Sequence, residues 1–347
     1  MKKVVIAMSG GVDSSVVALK LKEEGFLCHG VTGVMYNEKK ETPLYALRAK
    51  RVCEQLGIKH TILEFTDEFK EKVINPFIKT YEEGKTPNPC ILCNINFKFG
   101  RIFEYAMSLN YDYFATGHYA RNVFDIDKKR WILKKSKNSN KDQTYFLYFL
   151  KQHQLEKILF PLENLDKSVV KEIALKYGFE SAKVKESQDI CFVGGMKYGN
   201  FIKSNSNKKW EAGDFVDVNG KKLGIHNGII NYTIGQRKGI GLSFKEPMFV
   251  KEIDSSSNSV VLSTEKELFE DTILAKNLNY IAIEGFDEKI NCSAKVRYRQ
   301  NEEEATIYKE KNNMVKIVFK NPQRAIARGQ AVVFYDGEDV LGGGEIC

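Results

Sequence analysis

Residues 4–15 constrain this chain more than any other stretch. An apolar run, Val4-Val5-Ile6-Ala7-Met8, leads into Ser9-Gly10-Gly11-Val12-Asp13-Ser14-Ser15, and an amphipathic segment follows. That order reads as strand, tight glycine turn and helix. Gly10 and Gly11 let the backbone come close to an anion. Ser14 and Ser15 add hydroxyl donors, and the helix N-terminus adds free N–H groups and partial positive charge. The segment is built to hold phosphate. It lacks the Gly-Lys-Ser/Thr ending of a Walker A loop. The bland alternative is an ordinary strand-to-helix turn. Its place after the first strand, where an α/β nucleotide fold puts its phosphate loop, favours the phosphate reading.

The alternation continues beyond the loop. Residues 29–35 and 61–65 read as strands, and 44–56, 69–83 and 96–109 as helices. A short strand at 113–116 precedes Gly117-His118, and further helices are expected at 145–152 and 168–177. This pattern implies a parallel sheet covered by helices. It changes near Trp210. Residues 213–222 read as a hairpin with Asn219-Gly220 at its turn, and from about residue 274 short strands follow without helices. The expected organisation is α/β: an N-terminal parallel-sheet nucleotide-binding domain over 1–207, a small β-rich domain over 208–273, and a barrel-like domain over 274–347. A length of 347 residues suits two or three domains.

No apolar run is long enough to span a membrane, and Met1-Lys2-Lys3 leads into a strand, not into a signal peptide. A cytoplasmic protein is expected. The net charge of +8 suits a polyanionic partner. Seven basic residues and no acidic one lie between Lys128 and Lys141. Lys295, Arg297 and Arg299 alternate, so on a strand they would share a face. Phosphate contacts and plain solvated charge are both open readings of these groups.

Seven cysteines in such a chain do not indicate a disulfide framework. Cys53 falls on a helical apolar stripe, Cys28 and Cys292 fall in strands, and Cys347 is terminal. Cys90 and Cys93 follow Thr86-Pro87-Asn88-Pro89, and a helix is expected to start just after them. A nearby helix N-terminus lowers a thiol pKa. Cys191, flanked by Ile190, Phe192 and Val193 after Ser187-Gln188-Asp189, reads by itself as a core cysteine in a buried strand.

The first loop resembles the SGGxDS loop of the ATP pyrophosphatase (PP-loop) superfamily. The ordered set SGGVDSS, PNPCILCN, ATGHYAR, KDQTYFL, ICFVG, IGQRKGIG, KVRYRQ and RGQAVVFYDGEDVLGGG spans nearly the whole chain. With it the chain resembles the tRNA-specific 2-thiouridylases of the MnmA/TrmU type. The resemblance implies that ATP, with Mg²⁺, adenylates the 2-carbonyl oxygen of a wobble uridine, and that sulfur then displaces AMP. It implies Cys191 as persulfide carrier and Cys93 as nucleophile, with a transient Cys93–Cys191 disulfide opened by a cellular reductant. A cysteine desulfurase or relay protein would supply the sulfur, and tRNAs for Lys, Glu and Gln would be the acceptors.

Residue by residue, the resemblance implies ATP contacts by Ala7, Met8, Ser9, Gly10, Gly11, Val12, Asp13, Ser14, Met35 and Gly117. Asn88, Pro89 and Cys90 would meet the target base. His118, Lys141, Asp142, Gln143, Arg297, Tyr298 and Gln330 would meet tRNA. Base extrusion is expected, because the reacting base must leave the anticodon stack. Asp13 could also cap the following helix.

One departure stands out. Many members have Asp where this chain has Cys90. Cys90, Cys93 and Cys191 could then hold a [4Fe-4S] cluster, an alternative that would displace the persulfide. Two rivals differ more widely. Another PP-loop enzyme would not need both Cys93 and Cys191, and a non-catalytic tRNA-binding protein would not need an intact ATP loop.

Overall fold

The computed structural model describes residues 1–37, 41–184 and 190–347. Ser187, Gln188 and Asp189, the start of the Cys191 motif, lie outside the described residues.

The N-terminal part is a five-stranded parallel sheet in the order β3-β2-β1-β4-β7. Its strands are β1 (Lys3–Ala7), β2 (Leu27–Val34), β3 (Lys59–Glu64), β4 (Tyr113–Ala115) and β7 (Ile158–Leu159). Val4, Val5, Ile6 and Phe114 are fully buried, as expected of strands covered on both faces. Helices α1 (Val12–Glu23) and α2 (Leu44–Leu56) pack on one side, where Val16, Val17, Ala49 and Cys53 form one core with Val4 and Ile6. α3 runs over 66–82 and α4 over 89–108, each with a π-helical stretch: Lys70–Ile74 in α3 and Asn94–Ile102 in α4.

α4 begins at Pro89, seven residues earlier than the sequence reading placed it. Proline at the first helical position and Asn88, whose Oδ1 accepts from the Ile91 N–H at 3.4 Å, start it there. The helix expected over 145–152 does not form. Thr144–Phe146 makes one 3₁₀ turn, and the short α5 (Gln152–Leu155) follows. Tyr145, Leu147, Tyr148 and Leu150 are all buried, so the segment has no solvent face. The Tyr145 hydroxyl donates to the Ala331 carbonyl at 2.9 Å. Tertiary packing overrides local propensity here. α6 (Lys167–Lys176) and α7 (Tyr198–Asn205) complete the helices that matter below.

The central sheet pairs β10 (Phe249–Asp254), β11 (Ser259–Ser263), β8 (Gly213–Val216) and β9 (Lys222–His226) in that order. The expected 213–222 hairpin is the β8–β9 pair. Six C-terminal strands follow: β12 (Phe269–Tyr280), β13 (Lys289–Lys295), β14 (Glu303–Glu310), β15 (Met314–Arg324), β16 (Ala331–Asp336) and β17 (Asp339–Ile346). They run β12-β15-β14-β13-β16-β17, and β12 also pairs with β17, which closes the barrel. Closure removes exposed sheet edges. The α/β class, with a barrel at the end, is the architecture expected.

The basic run at 128–141 joins domains. The hairpin of β5 (Arg121–Asp125) and β6 (Arg130–Lys134) extends the barrel sheet through a Lys134–Asp339 bridge. Arg130 pairs with Glu284 at 2.8 Å, Lys135 with Glu302 at 2.7 Å, and Lys128 and Lys134 with Asp339. Four of the seven charges thus meet acidic barrel residues. The alternation at 295–299 also fails as a strand face: β13 ends at Lys295 and the chain turns.

Candidate active site

Leaving β1, the chain crosses to β2 and β3 on one side, while β4 and β7 lie on the other. A ligand crevice belongs at such a reversal, outside the strand ends. A cavity of about 480 Å³ opens there. Ala7, Met8, Ser9, Asp13 and Ser14 line it from the first loop, Met35 from the end of β2, and Gly117 and His118 from the end of β4. Pro89, Cys90 and Cys93 enter from α4, Gln143 from its turn, and Cys191 from the opposite wall.

Gly11 is the N-cap of α1 and no side chain caps the helix, so its first N–H groups have no intrahelical partner. Ser14 Oγ lies 3.2 Å from Ser9 Oγ and donates to the Gly11 carbonyl at 3.1 Å. Ser15 does not serve the cavity. It is fully buried, and its hydroxyl faces the Gly11 carbonyl and Ser181. Asp13 does not cap the helix either. Lys167 Nζ lies 2.7 Å from both its oxygens, and the Tyr119 hydroxyl donates to Oδ1 at 2.9 Å. Lys167, at the start of α6, escaped the sequence reading, because a lone lysine in an amphipathic helix carries no local signal.

Cys90 and Cys93 sit in the first turn of α4, three residues apart and therefore on one face. Cys191 is not in a buried strand. Cys191–Val193 forms a single 3₁₀ turn. Phe192 anchors it among Phe69, Phe77 and Phe201, with ring centroids 5.3–5.7 Å away, and this leaves Cys191 exposed. All seven cysteines are free thiols. The lowered thiol pKa expected at the helix start is reversed. Burial pushes Cys93 up to about 12 and raises Cys90 and Cys191 too, although the Lys98 ammonium opposes the rise in all three. Cys90 and Cys191 touch cavity solvent, but the surrounding protein walls are close enough to penalise their charge.

His118 is buried, with its Nδ1 2.8 Å from Thr116 Oγ1. Burial first, and then Lys98, holds its pKa well below the ordinary value, so the ring is neutral. Gln143 Oε1 accepts from the Tyr119 N–H at 3.0 Å, which fixes it at the cavity edge.

The remaining expected tRNA residues lie away from this cavity, and several brace the domains. Lys141 ends a 3₁₀ turn beside the buried Asp142. The Asp142 carboxylate accepts from the Ser136 N–H at 3.0 Å and the Thr144 hydroxyl at 2.6 Å. Arg297 Nη2 donates to the carbonyls of Ile234 and Ala325. Tyr298 packs on Phe146, with ring centroids 4.5 Å apart. Asp142, Arg297 and Tyr298 thus also make contacts within the protein. Asn88 and Gln330 line a second cavity of about 580 Å³ between α4 and the barrel.

Gln330 Nε2 donates to the carbonyls of Thr86 and Pro87 at 3.1 and 2.8 Å, so the barrel holds the segment that carries Cys90 and Cys93. Gln330→Ala removes both bonds at a cost of about 1–2 kcal/mol. Thermal melts are expected to show that loss, while ATP affinity measured by calorimetry stays unchanged. A lost ATP affinity would contradict this role.

Among the described residues, no group of three or more His, Cys, Asp or Glu side chains is set to hold a metal ion. Cys90, Cys93 and Cys191 share a cavity without forming the close three-thiolate set that a [4Fe-4S] cluster needs. No helix among the described residues is long and apolar enough to cross a membrane.

Three family models match the chain. The tRNA methyl transferase HUP domain covers residues 2–195, the tRNA methyl transferase PRC-barrel domain 199–264, and the aminomethyltransferase beta-barrel domain 270–346. The chain is 46% identical to tRNA-specific 2-thiouridylase MnmA 1 of Thermoanaerobacter sp. (strain X514), over 99% of this chain and 97% of that protein. It is 46% identical to MnmA of Clostridioides difficile (strain 630), over 99% and 98%. To MnmA of Acetivibrio thermocellus it is 45% identical, over 99% of both chains.

Proposed function

This chain belongs to the family of tRNA-specific 2-thiouridylases, and on that premise we propose that it exchanges the 2-carbonyl oxygen of a tRNA wobble uridine for sulfur at the expense of ATP. One observation carries the reading: a single cavity is lined by the phosphate loop, by Met35 and Gly117 at the strand ends, and by the thiols of Cys93 and Cys191. The free N–H groups of α1 suit the β,γ-phosphates. Mg²⁺ accompanying ATP would meet Asp13, whose carboxylate Lys167 holds in the free protein.

The chemistry follows from the leaving group. The uridine oxygen attacks the α-phosphorus of ATP and pyrophosphate departs, leaving AMP on that oxygen. The terminal sulfur of a Cys191 persulfide attacks C2. Cys93 thiolate then attacks the Cys191 sulfur, and a Cys93–Cys191 disulfide forms. The electron pair of the broken S–S bond stays on the transferred sulfur, AMP leaves, and the C2–sulfur double bond remains. A dithiol reductant restores both thiols. A desulfurase or relay protein reloads Cys191, whose exposure suits that exchange. Neutral His118 and Gln143 would border the extruded base, and Gln330 would act by bracing the 86–87 segment.

The test is reconstitution: iron-free enzyme, ATP with Mg²⁺, a persulfide donor and unmodified tRNA, with 2-thiouridine read by nucleoside mass spectrometry and AMP counted. One AMP for each 2-thiouridine is expected. The cluster alternative draws on the shared cavity of the three thiols. Anaerobic purification with iron and sulfide analysis decides it: stoichiometric iron, lost together with activity in Cys90→Ala, would replace the persulfide route.

A further inference from the structure

Lys98 lines the cavity together with Cys90, Cys93, Cys191 and His118, and it is the one Lys or Arg to do so among the described residues. It is half-buried, and no carboxylate among the described residues pairs with it. An unpaired ammonium in a crevice calls for an anion.

Its position depends on an irregularity in α4. At about 100° per residue an α-helix would set Lys98 about 140° away from Cys93, on another face. From Asn94 to Ile102, however, the helix is π-helical. With i→i+5 bonding the helix is underwound, so five residues overshoot a full turn by much less than the roughly 140° of an α-helix, which brings Lys98 back toward the cysteine face. Gly100 permits this: a Cβ there would lie 2.7 Å from the Ile95 carbonyl oxygen, five residues back.

We propose that the π-helical stretch holds Lys98 as counter-cation to the cavity's sulfur anions, favouring the thiolates of Cys93 and Cys191 against the cost of their burial. The proposal rests on the reading of Cys93 as nucleophile. The other groups around Cys93 do not fill this role. Cys90 on the same helix and Cys191 on the facing turn are further anions once ionised. Tyr45 on α2 and Asp13 on α1 add no cation, and His118 is neutral. Lys98 is the leading influence that lowers all three thiols. Lys98 acts through the sulfur and so is a positioning residue.

The test is alkylation of Cys93 and Cys191 by iodoacetamide in the reduced full-length protein without tRNA, resolved by peptide mass spectrometry from neutral to strongly alkaline pH. Lys98→Met is expected to slow alkylation about tenfold at neutral pH and to displace the profile upward. Lys98→Arg should restore most of the rate. Gly100→Ala keeps the ammonium but disturbs the π stretch, and should shift the profile in the same direction. If Lys98→Met does not fold, Lys98→Gln gives the same readout. Lys98 variants that fold and bind ATP but give the wild-type profile overturn the proposal. Should the shift appear while Cys93→Ser still thiolates tRNA, the counter-cation role stands and the nucleophile reading falls.

Discussion

Cys93→Ser and Cys191→Ser are each expected to abolish 2-thiouridine formation, by about 10³-fold or more in rate, while ATP binding is retained. Both thiols line the cavity that holds the phosphate loop, and neither contributes to that loop's own hydrogen bonds. A serine hydroxyl can neither carry a persulfide nor attack one at neutral pH. The two variants should differ in what accumulates. Loaded Cys93→Ser should keep its sulfur bonded to Cys191, as a persulfide without tRNA and as a Cys191–S–S–C2 adduct when ATP and tRNA are present, whereas Cys191→Ser should take up none there. Mass spectrometry of the cysteine peptides reads this directly. Thiolation by Cys191→Ser near the wild-type rate would remove the carrier role from this residue.

Gly10→Ala is expected to weaken ATP binding by about 100-fold or more and to lower stability by about 2–4 kcal/mol. Gly10 has φ +71°, which costs an alanine about 1–2 kcal/mol. Its Cβ would lie 2.0 Å from the Tyr45 carbonyl oxygen and 2.8 Å from the carbonyl carbon, both backbone atoms of α2. Either the loop or α2 must move, and the loop's serine network cannot survive that unchanged. The glycine is thus required by a close approach to the protein's own backbone, in addition to any anion. Gly11 is the internal control: its φ is −94° and an added Cβ would meet only Ser9 Oγ at 3.4 Å. Gly11→Ala should therefore bind ATP within about tenfold of wild type, since no strain of the Gly10 kind arises. Calorimetric titration with ATP and thermal melts check both. Gly10→Ala with unchanged affinity would mean that the loop is not where ATP binds.

The phosphate loop and the parallel sheet were legible because their signals are local. A buried β-branched run, a glycine pair and a helix start all lie within a dozen residues. The Cys191 turn was not legible. Ile190, Phe192 and Val193 look the same whether they fill a strand or anchor one 3₁₀ turn, and only Phe69, Phe77 and Phe201, distant in sequence, decide it. The start of α4 is written in Asn88-Pro89, whereas the apolar periodicity becomes regular only later, from about residue 96. The π-helical stretch has no local signature beyond Gly100.

The domain brackets were invisible for another reason. Arg121 meets Glu338 and Lys135 meets Glu302, partners far along the chain. A charge run by itself cannot say whether phosphate or carboxylate will answer it. The resemblance implies tRNA contacts for Arg297, Asp142 and Gln330, and the structure shows Arg297 Nη2, the Asp142 carboxylate and Gln330 Nε2 bonded within the protein as well. Their effect on tRNA is then expected to run through the geometry of the domains they join.

Sulfur is expected to pass from Cys191 to uridine, with Cys93 as the attacking thiol. The most direct measurement is a single turnover with iron-free enzyme carrying radiolabelled sulfur on Cys191, mixed with ATP, Mg²⁺ and unmodified tRNA without reductant. The label is expected in 2-thiouridine, with one AMP released and one Cys93–Cys191 disulfide formed for each label transferred. Label that stays on the protein, or thiolation that appears only after iron is restored and without that disulfide, would contradict the account.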